Sequence, residues 1–221
     1  MRTQALVIGL GQFGMALSRA LVQNGVEVIA VDRREDRVQT ASAFVTEAVQ
    51  SDAMNEGDLA RLAPERRDVC VVAIGEESRE AAILVTALLR QVGARRVVAR
   101  ATDPLHERIL NLVGAHEVVQ PERIFGERLA ARLAFRGVLD ILPLGDDLVI
   151  TELSTPEPFA GRTLVDLQLP RRFGLTVVAL RRTEGGIGRL VLPTAQEPLR
   201  KDDILVVIGA PGAAQQLVEQ V

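Results

Sequence analysis

A glycine turn between two apolar strands constrains this chain more than any other feature. Residues 1–14 form a short apolar run that breaks into a G-x-G-x-x-G pattern at Gly9, Gly11 and Gly14. A helix-like stretch follows at 15–23, and residues 25–32 supply a second strand ending in an acid, Asp32. A strand before, a helix after and an acid about 20 residues on are the context a dinucleotide fingerprint requires. Gly9 allows the tight turn, Gly11 lets the backbone approach a pyrophosphate, and Gly14 lets the helix pack close to the strand. The helix N-terminus then turns free N–H groups toward the phosphates. The bland alternative, a glycine-rich turn without a ligand, lacks an explanation for the rest of the pattern.

The first part of the chain alternates strand and helix signals. Strands are expected at 5–8, 26–31, 47–50, 68–74, 96–100 and 117–119, and helices at 15–23, 34–43, 56–62, 78–92 and 104–112. Asp103-Pro104 reads as an N-cap with proline at the first helical position. Gly93 and Gly114 read as C-cap glycines. Six such strands with crossover helices predict an α/β fold, a Rossmann-like, doubly wound parallel sheet. Pro121 precedes a longer helix, 122–135, on which Phe125, Leu129 and Leu133 recur at every fourth position. Gly137 and Pro143 break that pattern, so the expected domains are 1–138 and 139–221. The second part reads as a small α+β domain, with strands at 148–153, 175–180, 189–192 and 204–208 and helices at 163–167 and 212–221.

Composition excludes several classes. Residues 1–138 carry 18 basic and 18 acidic side chains, and the remainder 8 and 11, so neither half has the basic bias of a nucleic-acid binder. The absence of Trp and Tyr, with six Phe, weakens base stacking as well. All 26 basic residues but Lys201 are Arg. Arg suits phosphate clamping, but a GC-rich coding bias accounts for the imbalance better. The lone cysteine, Cys70, excludes an internal disulfide and fits a reducing, cytoplasmic compartment. It lies in an apolar run and reads as a small hydrophobe. No run approaches the length of a membrane span, and a strand begins where a signal peptide would lie.

The chemistry-bearing residues cluster at the expected strand ends. Asp32 can accept from ribose hydroxyls and repel a 2′-phosphate, whereas Arg33 and Arg34 could welcome one or mark a solvated helix start. Asp32 holds the diagnostic position, which favours NAD or an adenine nucleotide over NADP. Ser51, Asp52 and Ala53 follow the third strand, where Asp52 could accept from an adenine amino group or cap the next helix. Ala73, Ile74 and Gly75 end the fourth strand, and Arg100 ends the fifth. Glu122 starts the long helix, where a carboxylate near phosphates implies a metal ion between them or answers the helix dipole. His106 and His116 make no metal site by themselves. No serine elbow, phosphate-binding Gly-Lys-Ser/Thr loop or reductase tyrosine is present. The site looks built to bind a nucleotide and not to react it.

These residues resemble the regulator-of-potassium-conductance (RCK) family, most nearly the cytosolic regulatory subunits of Ktr and Trk potassium-uptake systems. The resemblance rests on the motif from Gly9 to Gly14, Asp32, Ser51-Asp-Ala53, Val72-Ala-Ile-Gly75, Gly114-Ala-His-Glu-Val-Val-Gln-Pro-Glu122, Leu164-Val-Asp-Leu167 and the stretch from Pro198 to Gly209. It implies a nucleotide-binding domain, a crossover helix and a small C-terminal ligand-sensing domain. It further implies an adenine nucleotide (ATP, ADP, or NAD and NADH) held by Gly9, Gly11, Gln12, Phe13 and Gly14, by Asp32 and Arg33, by Ser51, Asp52 and Ala53, by Ala73, Ile74 and Gly75, and by Arg100. Glu122 would help to hold a divalent cation or Na+ near the phosphates. Dimers built on the N-terminal domain would assemble into an octameric ring, docked on a membrane potassium translocator at the inner face of the cell membrane.

Two departures from the family pattern matter. Ktr-type members often have Arg where Gln12 stands, which removes a charge from the terminal-phosphate end. Members that bind cyclic di-AMP often have an Arg in the segment matching Leu169-Pro-Arg-Arg172, where Pro170 intervenes. The competing class is an NAD-dependent oxidoreductase, which needs a substrate pocket and a proton donor. A Rossmann-type redox repressor would need a DNA-binding module.

Overall fold

Side chains alternate across a strand, and in this chain both alternating sets are apolar. Leu6, Ile8, Ile29, Val31, Cys70 and Val72 pack into one buried cluster. Their neighbours Val7, Val28, Ala30 and Val71 pack into another. Strands buried on both faces need helices on both sides, which parallel crossovers supply. The computed structural model, which describes residues 2–184 and 187–221, has this architecture in the first of its two compact units, Met1–Glu122 and Arg123–Val221.

The first unit runs β1 (Gln4–Ile8), α1 (Gln12–Gln23), β2 (Glu27–Asp32), α2 (Glu35–Ser42), β3 (Glu47–Gln50), α3 (Glu56–Arg61), β4 (Val69–Val72), α4 (Arg79–Gln91), β5 (Val97–Arg100), α5 (Pro104–Leu112) and β6 (Glu117–Val119). The strand order is β3-β2-β1-β4-β5-β6, and every pairing is parallel. The chain winds one way from β1 to β3 and the other way from β4 to β6. The two windings diverge between β1 and β4, which opens a crevice at the carboxyl ends of those strands.

Local chemistry fixes the ends of these elements as the sequence predicts. The Asp103 side chain accepts from the His106 N–H at the start of α5, with Pro104 in the first turn. Gly93 and Gly114 take the left-handed backbone, at φ +81° and +100°. β4 is shorter than expected, so Ala73 and Ile74 lie beyond the strand.

The long helix α6 (Pro121–Ala134) follows, and none of its described side chains is buried in the single chain. Ile124, Phe125, Leu129 and Leu133 are exposed. In the second unit β7 (Val138–Leu144), β8 (Leu148–Ser154), α7 (Leu164–Leu167), α8 (Leu169–Phe173), β9 (Thr176–Glu184), β10 (Ile187–Val191), β11 (Ile204–Gly209) and α9 (Ala213–Glu219) form an α+β fold. The antiparallel sheet has the order β10-β9-β11-β8-β7. Two of these elements were unexpected. β7 accommodates Pro143 because it is the edge strand, where a missing N–H can face away from the ladder. The expected boundary after Val138 therefore cuts off the first residue of β7. α8 accommodates Pro170 because the first turn of a helix needs no N–H there. Among the described residues no helix is long and apolar enough to cross a membrane.

Gly14 brings α1 close to the turn before it. A Cβ placed on Gly14 would lie 1.8 Å from the Gly9 carbonyl oxygen and 3.1 Å from the Ala73 Cβ. Gly14→Ala should therefore destabilise by about 3 kcal/mol, the upper end of overpacking costs. The helix-propensity gain of about 1 kcal/mol is too small to offset it. A urea titration followed by circular dichroism checks this; an unchanged midpoint would show that α1 is not held at this distance.

Candidate functional site

The crevice at the carboxyl ends of β1, β2, β4 and β5 is a cavity of about 690 Å³, within the range of small-molecule sites. The glycine turn supplies Gly9, Gly11, Gln12 and Phe13 to its wall. Asp32 and Arg33 line it from β2, and Ser51, Asp52 and Ala53 from the segment after β3. Ala73, Ile74 and Gly75 follow β4, and Arg100 and Glu122 complete the expected set. Gly14 alone of that set does not line the cavity. It is buried in α1 against the turn, so its contribution is the close packing and not contact.

The glycine turn has the required geometry. Gly9 sits at φ +96°, a region that costs side-chain-bearing residues dearly. Its N–H donates to the Val31 carbonyl at 2.8 Å, which moors the turn to β2. Gly11 is the N-cap of α1 and offers no side-chain cap. A Cβ built on Gly11 would meet nothing within 4 Å. The missing side chain there serves no internal packing, and the N–H groups of the first turn of α1 lack intrahelical acceptors.

Asp32 is 9% exposed. Its Oδ2 accepts from the Leu10 N–H at 2.6 Å and its Oδ1 from the Arg34 N–H at 2.9 Å. Arg37 Nη1 lies 3.5 Å from Oδ2. The carboxylate is thus a structural acceptor as well as the expected ribose acceptor. Each oxygen has two lone pairs, so Oδ1, with one donor, keeps room for a hydroxyl. Arg37 was not among the expected residues. It is the third residue of α2 and turns back to the β2 tip; a basic residue one helical turn past a strand-end acid is the signal that could have found it.

The neighbours divide between the two readings given to each. Arg33 reaches Ser78 Oγ at 3.5 Å and is not merely a solvated helix start. Arg34 pairs with Asp36 and is not among the residues that line the cavity. Asp52 does not cap α3: Asn55 does, accepting from the Asp58 N–H. Asp52 Oδ1 instead accepts from the Met54 N–H at 3.0 Å, shaping the turn after β3.

At the other end Arg100 Nη2 pairs with Glu122 Oε1. The Arg100 guanidinium lies 5.6 Å from the Phe13 ring centre, and a Cβ on Gly75 would sit 3.1 Å from its Nη1. Glu122, the expected cation ligand, has its Oε1 paired with Arg100 in the single chain, and among the described residues no three His, Cys, Asp or Glu gather in one group.

The remaining titratable residues have structural surroundings. Burial pushes the Cys70 thiol up to about 12, so it stays protonated and packs as a hydrophobe. Burial holds His106 below the ordinary imidazole range. Its Nδ1 lies 3.3 Å from the Thr102 N–H, so the ring accepts there. His116 Nδ1 accepts from the Val97 N–H at 2.9 Å.

The TrkA-N domain family matches residues 5–121 and the TrkA-C domain family residues 148–221. The chain is 36% identical to the Ktr system potassium uptake protein C of Bacillus subtilis (strain 168) over 210 residues, 95% of this chain and 93% of the relative. The chain belongs to the TrkA family. A second Ktr relative, potassium uptake protein A of Vibrio alginolyticus, is 34% identical over 206 residues, 93% of this chain and 92% of its own. Among solved structures, the GsuK channel superposes on 98% of this TrkA-family chain with a TM-score of 0.70 at 23% identity. This chain spans 39% of the channel's chain. The same channel bound to NAD gives 0.69 at 22% over 99% of this chain and 39% of the channel's. These neighbours establish the RCK-type fold.

Removal of the Asp32 carboxylate leaves the buried Leu10 N–H without its acceptor. Asp32→Ala should cost about 2–3 kcal/mol, the range for losing a hydrogen bond to a charged acceptor. Urea unfolding of the variant measures it; wild-type stability would show that the carboxylate does not hold the turn.

Proposed function

We propose that this TrkA-family protein is a regulatory subunit that binds an adenine nucleotide in the crevice and thereby controls potassium transport through an integral membrane translocator. The observation that carries the nucleotide part is Gly11: the helix-capping residue faces a lined cavity, and its missing side chain leaves open space nothing in the fold requires. The relatives named for potassium uptake carry the transport part. The ligand is ATP, ADP or NAD. Asp32 Oδ1 takes a ribose hydroxyl, the α1 N-terminus takes the phosphates, and Arg100 faces their far end. A divalent cation or Na+ near the phosphates, held with the help of Glu122, belongs to the same reading. Cyclic di-AMP is not part of it: Pro170 stands in the segment where members that bind it often have an Arg, and the exposed Arg171 and Arg172 follow it in α8. The oxidoreductase alternative is set aside, because the relatives that align over most of this chain are named for potassium uptake.

Functionally, residues 1–138 act as the nucleotide domain with its crossover helix and 139–221 as the ligand-sensing domain. The protein works at the inner face of the cell membrane, through its partner.

Calorimetry with ATP, ADP, NAD and NADH tests the nucleotide reading. Wild type should bind, and Gly11→Ala should bind at least tenfold more weakly, because its methyl group occupies the phosphate approach. The variant should lose no more than about 1 kcal/mol of stability, the cost of alanine in place of glycine at an N-cap, because the methyl meets no neighbour. Gln12 brings no charge to the phosphate tail, so ATP and ADP affinities should agree within about threefold. Full binding by Gly11→Ala would move the ligand elsewhere.

The assembly is inferred from α6. Ile124, Phe125, Leu129 and Leu133 are exposed together on one chain, more apolar surface than a solitary helix leaves in water. We infer dimers that build an octameric ring. Light scattering at micromolar concentration should give a mass well above a dimer; a monomer would end the ring reading.

A further inference from the structure

One cation in the crevice lining has no acid to answer it. Arg37 pairs with Asp32 and Arg100 with Glu122, whereas Arg33 makes no ion pair among the described residues. It lines the cavity and is exposed. Its backbone is held from both sides. The Arg33 carbonyl accepts from Gln50 Nε2 at 3.1 Å, and the next N–H, that of Arg34, donates to Asp32. Only the side chain is left unanchored. Its Nη2 donates to Ser78 Oγ at 3.5 Å, beyond the usual hydrogen-bond range. Ser78 is the N-cap of α4, and its hydroxyl makes no capping bond. β2 and β4 lie on opposite sides of β1, so the guanidinium crosses the crevice over the carboxyl end of β1.

Resting on the nucleotide reading above, we propose that Arg33 reads the base: its guanidinium leaves Ser78 and lies flat on the purine ring of the bound nucleotide. A nucleotide runs in the order base, ribose, phosphate. With the ribose at Asp32 and the phosphates at the α1 N-terminus, the base falls on the far side of Asp32, among Arg33, Asp52 and Met54. The one aromatic residue of the lining, Phe13, stands in the glycine turn, so no ring is at hand to stack on a base. A guanidinium is the planar substitute. It stacks on aromatic faces and is drawn to their electron-rich surface. The contact with Ser78 is long and solvated, so giving it up costs little. An acid partner would tie the guanidinium down, and the lack of one leaves it available. A purine offers a larger face than a pyrimidine, so the contact discriminates between them.

The test is calorimetry on the full chain with ADP and UDP, which share the ribose and the diphosphate and differ in the base. It is run in about 0.5 M salt, where the general attraction of a cation for phosphates is screened. Arg33→Gln removes the flat cation. The ratio of ADP affinity to UDP affinity should fall by about twofold to fivefold, the range of an exposed cation–π contact. Arg33 is exposed, so the urea midpoint of the variant should match wild type, which separates binding from folding. NADP serves as a third probe: a loss for NADP that exceeds the loss for ADP would assign Arg33 to a ribose phosphate and overturn the proposal. Equal losses for ADP and UDP would overturn it as well. Wild type that binds neither ADP nor UDP would remove the nucleotide reading and this inference together. Wild type that binds both, with a ratio that Arg33→Gln leaves unchanged, would remove this inference alone.

Discussion

Two backbone N–H groups, those of Leu10 and Arg34, end on the carboxylate of Asp32. The first belongs to the glycine turn that leaves β1 and the second to the N-cap of α2, so one side chain fixes the two connections that leave neighbouring strands. The Gly9 N–H on the Val31 carbonyl adds a second tie between the same strand tips. A turn with three glycines has little stiffness of its own. Its shape comes from these ties and from α1, which Gly14 admits to within contact of the Gly9 carbonyl. The same turn packs against Ala73 and Ile74 of the segment after β4, and the two together line the crevice.

The second unit has a different pin. Arg182 is 8% exposed and Asp203 1%. Arg182 Nε and Nη2 donate to the two oxygens of Asp203 at 3.0 and 3.3 Å, and Nη1 reaches Glu197. The Asp203 carbonyl accepts from Thr155 Oγ1, and its carboxylate from the Arg200 N–H. One buried pair thus fastens β9, the turn before β11 and the end of β8. Such pairs lose much of their Coulomb gain to desolvation, so their worth here is geometric: they permit one arrangement of the three segments. The hydrogen bonds to Asp203, with Glu197 beside it, hold Arg182 above even the ordinary guanidinium range.

What the sequence made legible was whatever depends on local rules. The fingerprint glycines, the Asp103 cap and the left-handed Gly93 and Gly114 are set by neighbours a few residues away, and all stand where expected. β3 and α5 match to the residue. The misses depend on tertiary context. Pro143 breaks a strand pattern by propensity, yet β7 is an edge strand, and nothing local tells an edge from a centre. α8 is five residues long, too short for a periodic signal. Thirteen of the fourteen expected nucleotide residues line one cavity, since strand ends in a parallel sheet converge by topology. Arg37 was missed because its role is defined by Asp32 across a turn. The Arg100–Glu122 pair was read as two separate sites because β6 and its loop intervene in the chain, while parallel pairing of β5 with β6 brings the ends together.

The charges in the crevice follow one pattern at both ends. Asp32 is balanced by Arg37, and Arg100 by Glu122. An uncompensated carboxylate or guanidinium in a half-buried cleft carries a desolvation cost whenever the cleft is empty. Compensation removes that cost and lets the site stay formed without a ligand. The same compensation reduces what a ligand would gain at Arg100, where a charged contact replaces an existing one, whereas Asp32 Oδ1 keeps room for a further donor. The uncharged Gln12 lines the same cavity and adds no fixed cation on the turn itself.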